Sequence, residues 1–452
     1  MRVPNVQCFG TLEMPPIVQW WRVLIALFAL PMFAQCFQYM VDIPPLYALS
    51  KIWPALTLPL FVWALLRLDI PYKLLFVVTM LWIIAITPVI GMIQLGNEVG
   101  AAFLTTVKVW AYGFVFSVAG LLMLLRLPAV TLRRVILGLG FGTYIIMVAL
   151  WFVVPPSAYG DGDIATKLFM YDPERGYHLY MPMFFGMLLL FYLNRSFWAR
   201  PRVWKALAIV AGFGLQYAIY KERTSIAGGV LVVVIACALS AGRWRIAALA
   251  MLGIFATVGI FHIIGRLESA ADLHSSLGGS LAVRQVSVAT AWNYLSQDPE
   301  RWLLGVGATT RFGNVTLAQL FGNRMFYLTD IGWLGVAFEY GVIGALMMLL
   351  VHLAALRATV TWSHPDDPLS QALADYVLYL IIVSLVYSVV FTPGELTTVL
   401  ALGYYLAYIK DRYGAGESQP VNFMPRHIAL ASPKPSGKLA LPRPPSGMAS
   451  IG

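Results

Sequence analysis

The chain has 452 residues, of which 60% are hydrophobic and only 12% are charged, and its formal net charge is +10. Soluble domains are about half apolar and about a quarter charged, so a soluble core cannot hide this much apolar surface. The composition excludes an ordinary soluble protein and predicts an all-α, polytopic integral membrane protein with about twelve transmembrane helices.

Apolar runs long enough to cross a bilayer, about twenty residues each, recur along the chain up to a polar tail. The first run follows about sixteen residues and carries no small-residue cleavage pattern, so we expect a retained helix and not a removed signal peptide. An even number of spans places both termini on the same side. The predicted spans are 18–39, 46–66, 72–94, 101–125, 134–154, 179–194, 203–219, 224–241, 244–265, 332–356, 371–391 and 395–410.

The lysine and arginine residues follow the positive-inside rule. With both termini in the cytoplasm, the short outside connections 40–45, 95–100 and 392–394 contain no Lys or Arg. The basic excess then orients the helices, and we expect no nucleic-acid partner. The predicted cytoplasmic cations are Arg67, Lys73, Arg126, Arg133, Arg134, Arg195, Arg200, Arg202, Lys205, Arg243, Arg245, Arg357, Lys410 and Arg412.

We predict one transmembrane domain over 1–412. The stretch 413–452 is rich in Pro, Ser and Gly, which predicts a disordered cytoplasmic tail. Two connections on the outer side are long, 155–178 and 266–331, and the larger joins the ninth and tenth predicted spans. Binding and catalytic groups concentrate in long loops that carry their own aromatic and charged residues. We therefore expect the function in these two loops.

Two cations, Lys221 and Arg223, lie in the tight outer turn between the seventh and eighth spans. The positive-inside rule disfavours Lys and Arg at such a position. A long cationic side chain at a helix end often reaches the interface between lipid and water. This explanation and a functional role account for Lys221 equally well. Arg223 is followed by TSIAGG, small residues that let helices and a ligand approach closely. A helix N-terminus also offers free N–H groups to an anion, which favours a functional role for Arg223.

A third outside cation, Arg284, lies in the larger loop. Residues 281–296 predict an amphipathic helix with Arg284 and Ser287 near one face. A cation at the start of a helix opposes the macrodipole, so we expect Arg284 to have an anionic partner. That partner is either a ligand or an internal carboxylate such as Glu268 or Asp272.

Two arginines outside, both near the membrane plane, indicate a site for a polyanion anchored in lipid. Guanidinium matches phosphate with two parallel hydrogen bonds and keeps its charge. A lipid-linked pyrophosphate fits Arg223 and Arg284, and Lys221 and Arg175 are candidates for further point charges at the same site.

The apolar stretch 327–346 carries two acids, Asp330 and Glu339. Asp330 directly precedes a helix, and we expect it to cap that helix. A carboxylate fixed at this position is also suited to orient a hydroxyl group or accept its proton. Glu339 lies deeper, where an acid must be paired or face the bundle interior, and we expect a helix–helix bond for it.

The side chains that commonly hold metals or redox groups show no matching pattern. The three cysteines, Cys8, Cys36 and Cys237, share no metal or redox spacing, and the histidines have no paired ligand spacing. We predict no metal, no cofactor and no disulfide framework.

Four short elements occur in a recognisable order. Residues 223–228 read RTSIAG, Arg284 lies in the amphipathic segment, 305–307 read GVG, and 339–344 read EYGVIG. Through this order the chain, over roughly 200–350, resembles the O-antigen ligase and polysaccharide polymerase superfamily of bacterial envelope membrane proteins. Members of that superfamily show an arginine before Gly/Ala-rich sequence, an Arg-containing amphipathic helix leading to a P-x-x-G-x-G element, and a helix ending in E-Y-G-x-x-G.

The resemblance implies the fold of large type C membrane glycosyltransferases, with a site at the periplasmic face of the bacterial inner membrane. It implies a metal-independent transfer of glycan from an undecaprenyl-pyrophosphate-linked oligosaccharide to an acceptor sugar. Arg223 and Arg284 would bind the pyrophosphate, whose charge must be neutralised as the glycosidic bond breaks. Membrane lipids and a chain-length regulator are the other expected partners.

One departure from the ligases favours the polymerases. Ligases that attach O-antigen to lipid A-core carry His-Asn where this chain has Asp330 and Ile331. An Asp there looks more like the polymerases that join repeat units of O-antigen or exopolysaccharide, and it would position or deprotonate the acceptor hydroxyl. His178 and Tyr220 are the expected acceptor contacts. A ligase remains an alternative, as does a lipid-linked glycan transporter, although such transporters usually carry mid-membrane ionisable residues or inverted repeats.

Overall fold

The computed structural model is mostly helical and describes residues 19–160, 168–172, 175–240, 242, 279–307, 317–321, 326 and 328–413. Seven helices in these ranges are long and apolar enough to cross a membrane, by length and composition, and they fit a multi-pass membrane protein. The predicted span 244–265 lies outside the described residues, and the count of twelve stays a prediction. The seven are Pro44–Arg67, Lys73–Leu95, Val99–Leu125, Ala129–Val153, Val203–Tyr220, Arg223–Ser240 and Leu328–Trp362.

Irregular turns interrupt three of the helical segments that precede residue 126. The first of these segments breaks at Thr57, whose hydroxyl bonds back to the carbonyl of Trp53 at 2.9 Å, a contact that competes with regular helix geometry. A π-helical turn and a long 3₁₀ segment interrupt the next two, and such turns are frequent at functional sites. The elements are α1 Gln19–Phe33, α2 Pro44–Leu56, α3 Leu58–Arg67, α4 Lys73–Leu81, the π-helical turn Trp82–Ile86, α5 Thr87–Leu95, α6 Val99–Thr105, the 3₁₀ segment Thr106–Gly113 and α7 Phe114–Leu125.

The predicted loop 155–178 contains β-structure, which corrects the all-α expectation. Strand β1, Phe169–Asp172, pairs antiparallel with β2, Gly176–Leu179. Aromatic residues favour strands, and Gly176 supplies the positive φ of +67° at the turn. Because residues 180–183 are not helical, the helix of the predicted span 179–194 begins later. The other elements of this part are α8 Ala129–Val153, the 3₁₀ turn Pro156–Ala158, α9 Phe184–Ala199, α10 Val203–Leu215, the π-helical turn Gln216–Tyr220 and α11 Arg223–Ser240.

The helices after residue 278 differ from the predicted spans at their ends. Arg357, predicted in a cytoplasmic connection, lies within a helix, and the helix of the predicted span 371–391 ends at Ser384. Asp298 and Asp367 each cap a helix that starts with proline by accepting a backbone N–H bond. The elements are α12 Gly279–Leu295, α13 Pro299–Leu304, α14 Leu317–Phe321, the 3₁₀ turn Leu328–Ile331, α15 Gly332–Trp362, α16 Pro368–Ser384, the 3₁₀ turn Val389–Phe391 and α17 Gly394–Tyr413.

Helix α9 lies within the core and contacts α8, α10, α11 and α16. Its residues 184–191 are all buried, as expected for a helix that is apolar all round. Helix α11 approaches closely, since a Cβ atom on Gly229 would lie 2.7 Å from Met187 Sδ and one on Gly228 2.7 Å from Val383 Cγ2. The prediction that small residues at the start of α11 let helices approach is confirmed.

Three glycines, Gly305, Gly307 and Gly341, join two of the elements that the sequence singles out, and we call them the glycine lock. Gly341 breaks α15 with φ +71° and ψ 173°. A Cβ atom there would lie 2.2 Å from the carbonyl oxygen of Leu303, and one on Gly305 would lie 2.4 Å from the nitrogen of Gly341. Glycine is required because the backbones touch and the φ angle is left-handed.

Hydrogen bonds across the glycine lock satisfy carbonyl groups at the break in α15. The N–H of Val306 donates to the carbonyl of Phe338 at 2.8 Å, and the N–H of Gly307 donates to that of Glu339 at 3.1 Å. The Glu339 side chain is fully buried and pairs with Lys108 Nζ at 2.9 Å. The predicted helix–helix bond of Glu339 is therefore confirmed.

Candidate functional site

Asp330 lies in the 3₁₀ turn Leu328–Ile331, which the chain after α16 holds in place. The N–H of Ser388 donates to the carbonyl of Thr329 at 2.8 Å, and the Ser388 hydroxyl donates to the first carbonyl of α15. The expected capping role of Asp330 is wrong, because Ile331 directly precedes α15 and no side chain caps that helix. The Asp330 carboxylate is partly buried, with the Thr329 hydroxyl 3.4 Å from one of its oxygens.

Two arginines from distant parts of the sequence act on this carboxylate. Helix α12 packs against the Leu328–Ile331 turn and α15. This contact brings Arg284 into electrostatic range of Asp330, and Arg175 at the β-hairpin adds a weaker attraction. The structure thus packs the helix of Arg284 against the turn of Asp330, two residues that the sequence analysis selected separately.

Helix α12 buries the side that carries Ser287 and leaves two large apolar side chains exposed. Ser287 and Ala291 are buried, and Arg284, on the same side, is partly buried. In contrast, Val286 is 52% exposed and Trp292 is 55% exposed. The predicted placement of Arg284 and Ser287 on one face is confirmed. Large apolar side chains exposed on one helix are suited to an apolar covering.

A charge network ties the β-hairpin to the turn before α11. The Arg175 guanidinium donates to Glu222 Oε1 at 2.7 Å and lies 3.6 Å from Asp172, and Lys221 Nζ donates to the carbonyl of Arg175 at 2.7 Å. Two of the predicted pyrophosphate ligands are therefore held by protein groups. Arg223 is exposed at the first turn of α11 and has no ion pair among the described residues.

A cavity of about 120 Å³ begins beside this network, where Tyr220 directly precedes Lys221. The sequence analysis identified only Tyr220 among its aromatic residues, because no local pattern connects positions so far apart in the chain. Six tyrosines line the cavity: Tyr39, Tyr180, Tyr220, Tyr376, Tyr379 and Tyr387.

The tyrosine cavity and the Asp330 turn meet at Tyr387. Tyr387 lines the cavity and directly precedes Ser388, whose N–H donates to the carbonyl of Thr329 beside Asp330. In another part of the cavity lining, the Tyr376 hydroxyl donates to Glu395 Oε2 at 2.8 Å. A carboxylate, several hydroxyl groups and aromatic faces therefore surround one space whose edge lies near Asp330.

The remaining predicted residues have different positions. His178 is 2% exposed, with Nδ1 3.0 Å from the carbonyl of Gly176 in its own hairpin, and it does not line the cavity. Tyr220 does line it and is 7% exposed. Glu268 and Asp272, the alternative partners of Arg284, lie outside the described residues. Within the described ranges, no three His, Cys, Asp or Glu side chains are grouped as a metal site would need.

Together, the helices and the polar cavity define the protein only by class, as one that fits a multi-pass membrane protein. No protein-family model matches the chain, and no curated protein matches it. The activity therefore has to be argued from the chemistry of the site.

Proposed function

We propose that the protein is a polysaccharide polymerase that joins repeat units carried on polyprenyl pyrophosphate, at the periplasmic face of a bacterial inner membrane. The observation that carries the proposal is the convergence of Arg284 and Asp330 beside a polar, aromatic cavity. Glycan transfer from a pyrophosphate needs a fixed cation for the leaving group and a base or orienting group for the incoming hydroxyl. The Asp at position 330, where the ligases carry His, favours a polymerase over a ligase.

In the proposed reaction, the acceptor hydroxyl oxygen bonds to the anomeric carbon of the donor repeat unit. The bond between this carbon and the pyrophosphate oxygen breaks, and its electron pair stays on the departing polyprenyl pyrophosphate. Asp330 orients the hydroxyl and accepts its proton. Arg284 and Arg223 neutralise the leaving group with charge-assisted hydrogen bonds.

In the proposal, Arg175 and Lys221 support the site and do not bind the pyrophosphate directly. Both are already bonded to protein groups, Arg175 to Glu222 and Lys221 to the carbonyl of Arg175. They hold the turn before α11 and so position Arg223, which keeps its guanidinium exposed. Glu222, which the sequence analysis did not consider, completes this support.

The orientation of α12 also supports a substrate carried by lipid. A helix that leaves large apolar side chains exposed is suited to lie in the boundary between lipid and water. Val286 and Trp292 would then contact acyl chains, and Arg284 on the opposite face would lie near the level of lipid headgroups. The pyrophosphate of a polyprenyl carrier occupies that level.

The test is complementation of a deletion strain with Asp330→Asn and Arg284→Ala variants. Loss of a positioned general base reduces a rate by about 10²–10⁴-fold, so we expect Asp330→Asn to make almost no polymer. Single repeat units should accumulate on the lipid carrier in both variants. Gel separation of the glycan, with mass spectrometry of the lipid-linked intermediates, measures both outcomes.

The matched control is Glu300→Gln, which changes an exposed acid on α13 away from the Asp330 turn and should leave polymer length unchanged. Full-length polymer from Asp330→Asn at normal protein levels would overturn the site assignment. If the deletion strain still makes long polymer on the lipid carrier but fails to move it to lipid A-core, the protein is a ligase. Proteoliposomes that move a labelled lipid-linked glycan without polymerising it would identify a transporter.

A further inference from the structure

We propose that the tyrosine cavity binds one monosaccharide unit of the acceptor glycan, with Glu395 and Tyr376 recognising its hydroxyl groups. The identity of this sugar as the acceptor rests on the proposed function. The cavity as a site for a neutral sugar rests on its own chemistry, and the two are tested separately.

The cavity lining favours a neutral ligand over the pyrophosphate. The lining residues that the structure describes include the carboxylate of Glu395 and no Lys or Arg. A carboxylate in a low-dielectric site repels another anion strongly, whereas it accepts hydrogen bonds from neutral hydroxyl groups. The cavity therefore differs in charge from the Arg284 region beside it.

The aromatic lining fits the two sides of a pyranose ring. Tyr180 stacks on Tyr220 with ring centroids 6.0 Å apart and an interplanar angle of 22°, and the rings of Tyr376 and Tyr379 lie 5.4 Å apart. Tyrosine presents an apolar ring face together with a polar tip. A sugar ring likewise has C–H faces and a rim of hydroxyl groups. Aromatic walls with a few placed polar groups are typical of small-molecule sites.

The volume limits the ligand to a single ring. A water needs about 10–15 Å³ of such space, so a cavity of about 120 Å³ holds on the order of ten water-sized groups. One hexose unit has about a dozen heavy atoms, which is the same scale. A disaccharide or a polyprenyl chain would exceed this space.

Glu395 retains hydrogen-bonding capacity for a ligand. It lies in the first turn of α17, where the helix dipole favours an acid. Among the described residues only Tyr376 donates to it, at 2.8 Å, whereas a carboxylate accepts up to about four hydrogen bonds. The helix dipole explains an acid at this position but not the ring of tyrosines around it.

The position of the cavity connects a bound sugar to the reacting groups. Tyr387 lines the cavity and directly precedes Ser388, whose N–H donates to the carbonyl of Thr329, the residue before Asp330. A sugar between the tyrosines would therefore have the side nearest Tyr387 directed toward Asp330. The cavity would select the acceptor sugar while Arg284 and Arg223 hold the donor.

The test is binding by the purified full chain in detergent. The probes are the repeat-unit oligosaccharide released from the lipid carrier by mild acid, and the monosaccharides obtained from its complete hydrolysis. Saturation-transfer NMR identifies the sugar in contact, and calorimetry gives its affinity. Loss of a hydrogen bond to a charged group corresponds to about tenfold or more in affinity, so Glu395→Gln should weaken binding at least tenfold and Tyr376→Phe several-fold.

Two further variants make every result decisive. Tyr192→Phe removes a tyrosine hydroxyl on α9 outside the cavity lining and should bind like the unaltered chain, and Tyr387→Phe replaces Glu395→Gln if the latter fails to fold. Absence of saturable binding, or equal affinity in all the folded variants, overturns the sugar site. Asp330→Asn should keep saturable binding of the probe while failing to polymerise. If the chain binds the sugar but has no polymerase activity, the proposed function is wrong and the sugar site stands.

Discussion

Two regions of the molecule each place an arginine opposite an aspartate from another element, and they differ in how completely the pair is formed. Arg195 on α9 holds Asp375 on α16 with two hydrogen bonds of 2.6 Å, and their side chains are 13% and 6% exposed. Arg284 interacts with Asp330 only over a longer range, and both side chains are partly exposed. The same two residue types therefore form a closed ion pair in the first region and remain apart in the second.

The difference distinguishes a structural pair from a candidate site. The Asp375 carboxylate is occupied by a bidentate guanidinium, and the Ser240 hydroxyl, 3.4 Å away, completes the surroundings of Arg195. The Asp330 carboxylate has only the Thr329 hydroxyl as a hydrogen-bond partner within the described residues, at 3.4 Å. A carboxylate that is held in place and still has free acceptor capacity can meet a substrate hydroxyl.

The largest stability effect is expected at the structural pair. Arg195→Ala leaves the buried Asp375 carboxylate without its partner, and breaking a buried pair in this way lowers the free energy of unfolding by about 3–5 kcal/mol. Arg284→Ala should change it by less than about 0.5 kcal/mol, since that arginine has no close ion pair among the described residues. Denaturant unfolding of the purified variants in one detergent measures both values.

A double variant tests the reason for this difference. Replacing a buried ion pair by apolar residues is often neutral, so Arg195→Leu with Asp375→Leu should regain most of the stability lost in Arg195→Ala. If Arg284→Ala destabilises the protein as strongly as Arg195→Ala, Arg284 is structural and the comparison between the two regions fails.

The next largest effect is expected at the glycine lock, which fixes α13 against α15. Gly341→Ala places a Cβ atom against the carbonyl of Leu303 and forces a left-handed φ on alanine, which together cost about 1–3 kcal/mol or more. Gly138→Ala on α8 is the control, because a Cβ atom there meets open space and alanine favours the helix. Thermal unfolding should show a lower midpoint for Gly341→Ala alone, and equal midpoints would contradict the lock.

Local sequence features predicted those site residues whose charge is unexpected at their place in the predicted membrane topology. Arg284 and Asp330 stand out because ionisable residues near apolar spans need a reason, and the structure brings them together. The same argument predicted a partner for Glu339, which Lys108 supplies. The small residues at the start of α11 predicted close helix contact because small side chains are recognised directly from the sequence.

Long-range contacts explain what the sequence could not predict. Tyr39 and Tyr387 meet at one cavity only after the helices have packed, and a tyrosine in an apolar run looks like any core residue. The capping role expected for Asp330 was wrong because Ser388, distant in sequence, holds the turn in another arrangement. Glu222 was passed over because its partner, Arg175, lies on a hairpin that the helical periodicity did not indicate.

The smallest effect is expected at a third arginine–aspartate pair, which tests whether burial decides the comparison. Arg133 lies 3.4 Å from Asp367, but their side chains are 37% and 28% exposed. Exposed pairs contribute at most about 1 kcal/mol and are screened by salt, so Arg133→Ala should destabilise the protein slightly, and less at high salt. The neighbouring Arg134→Ala, which removes an exposed cation, should have no effect. If Arg133→Ala lowers the free energy of unfolding as much as Arg195→Ala, the residue types and not their burial set the strength of these pairs. The partial exposure of Arg284 and Asp330 would then no longer distinguish them from structural residues.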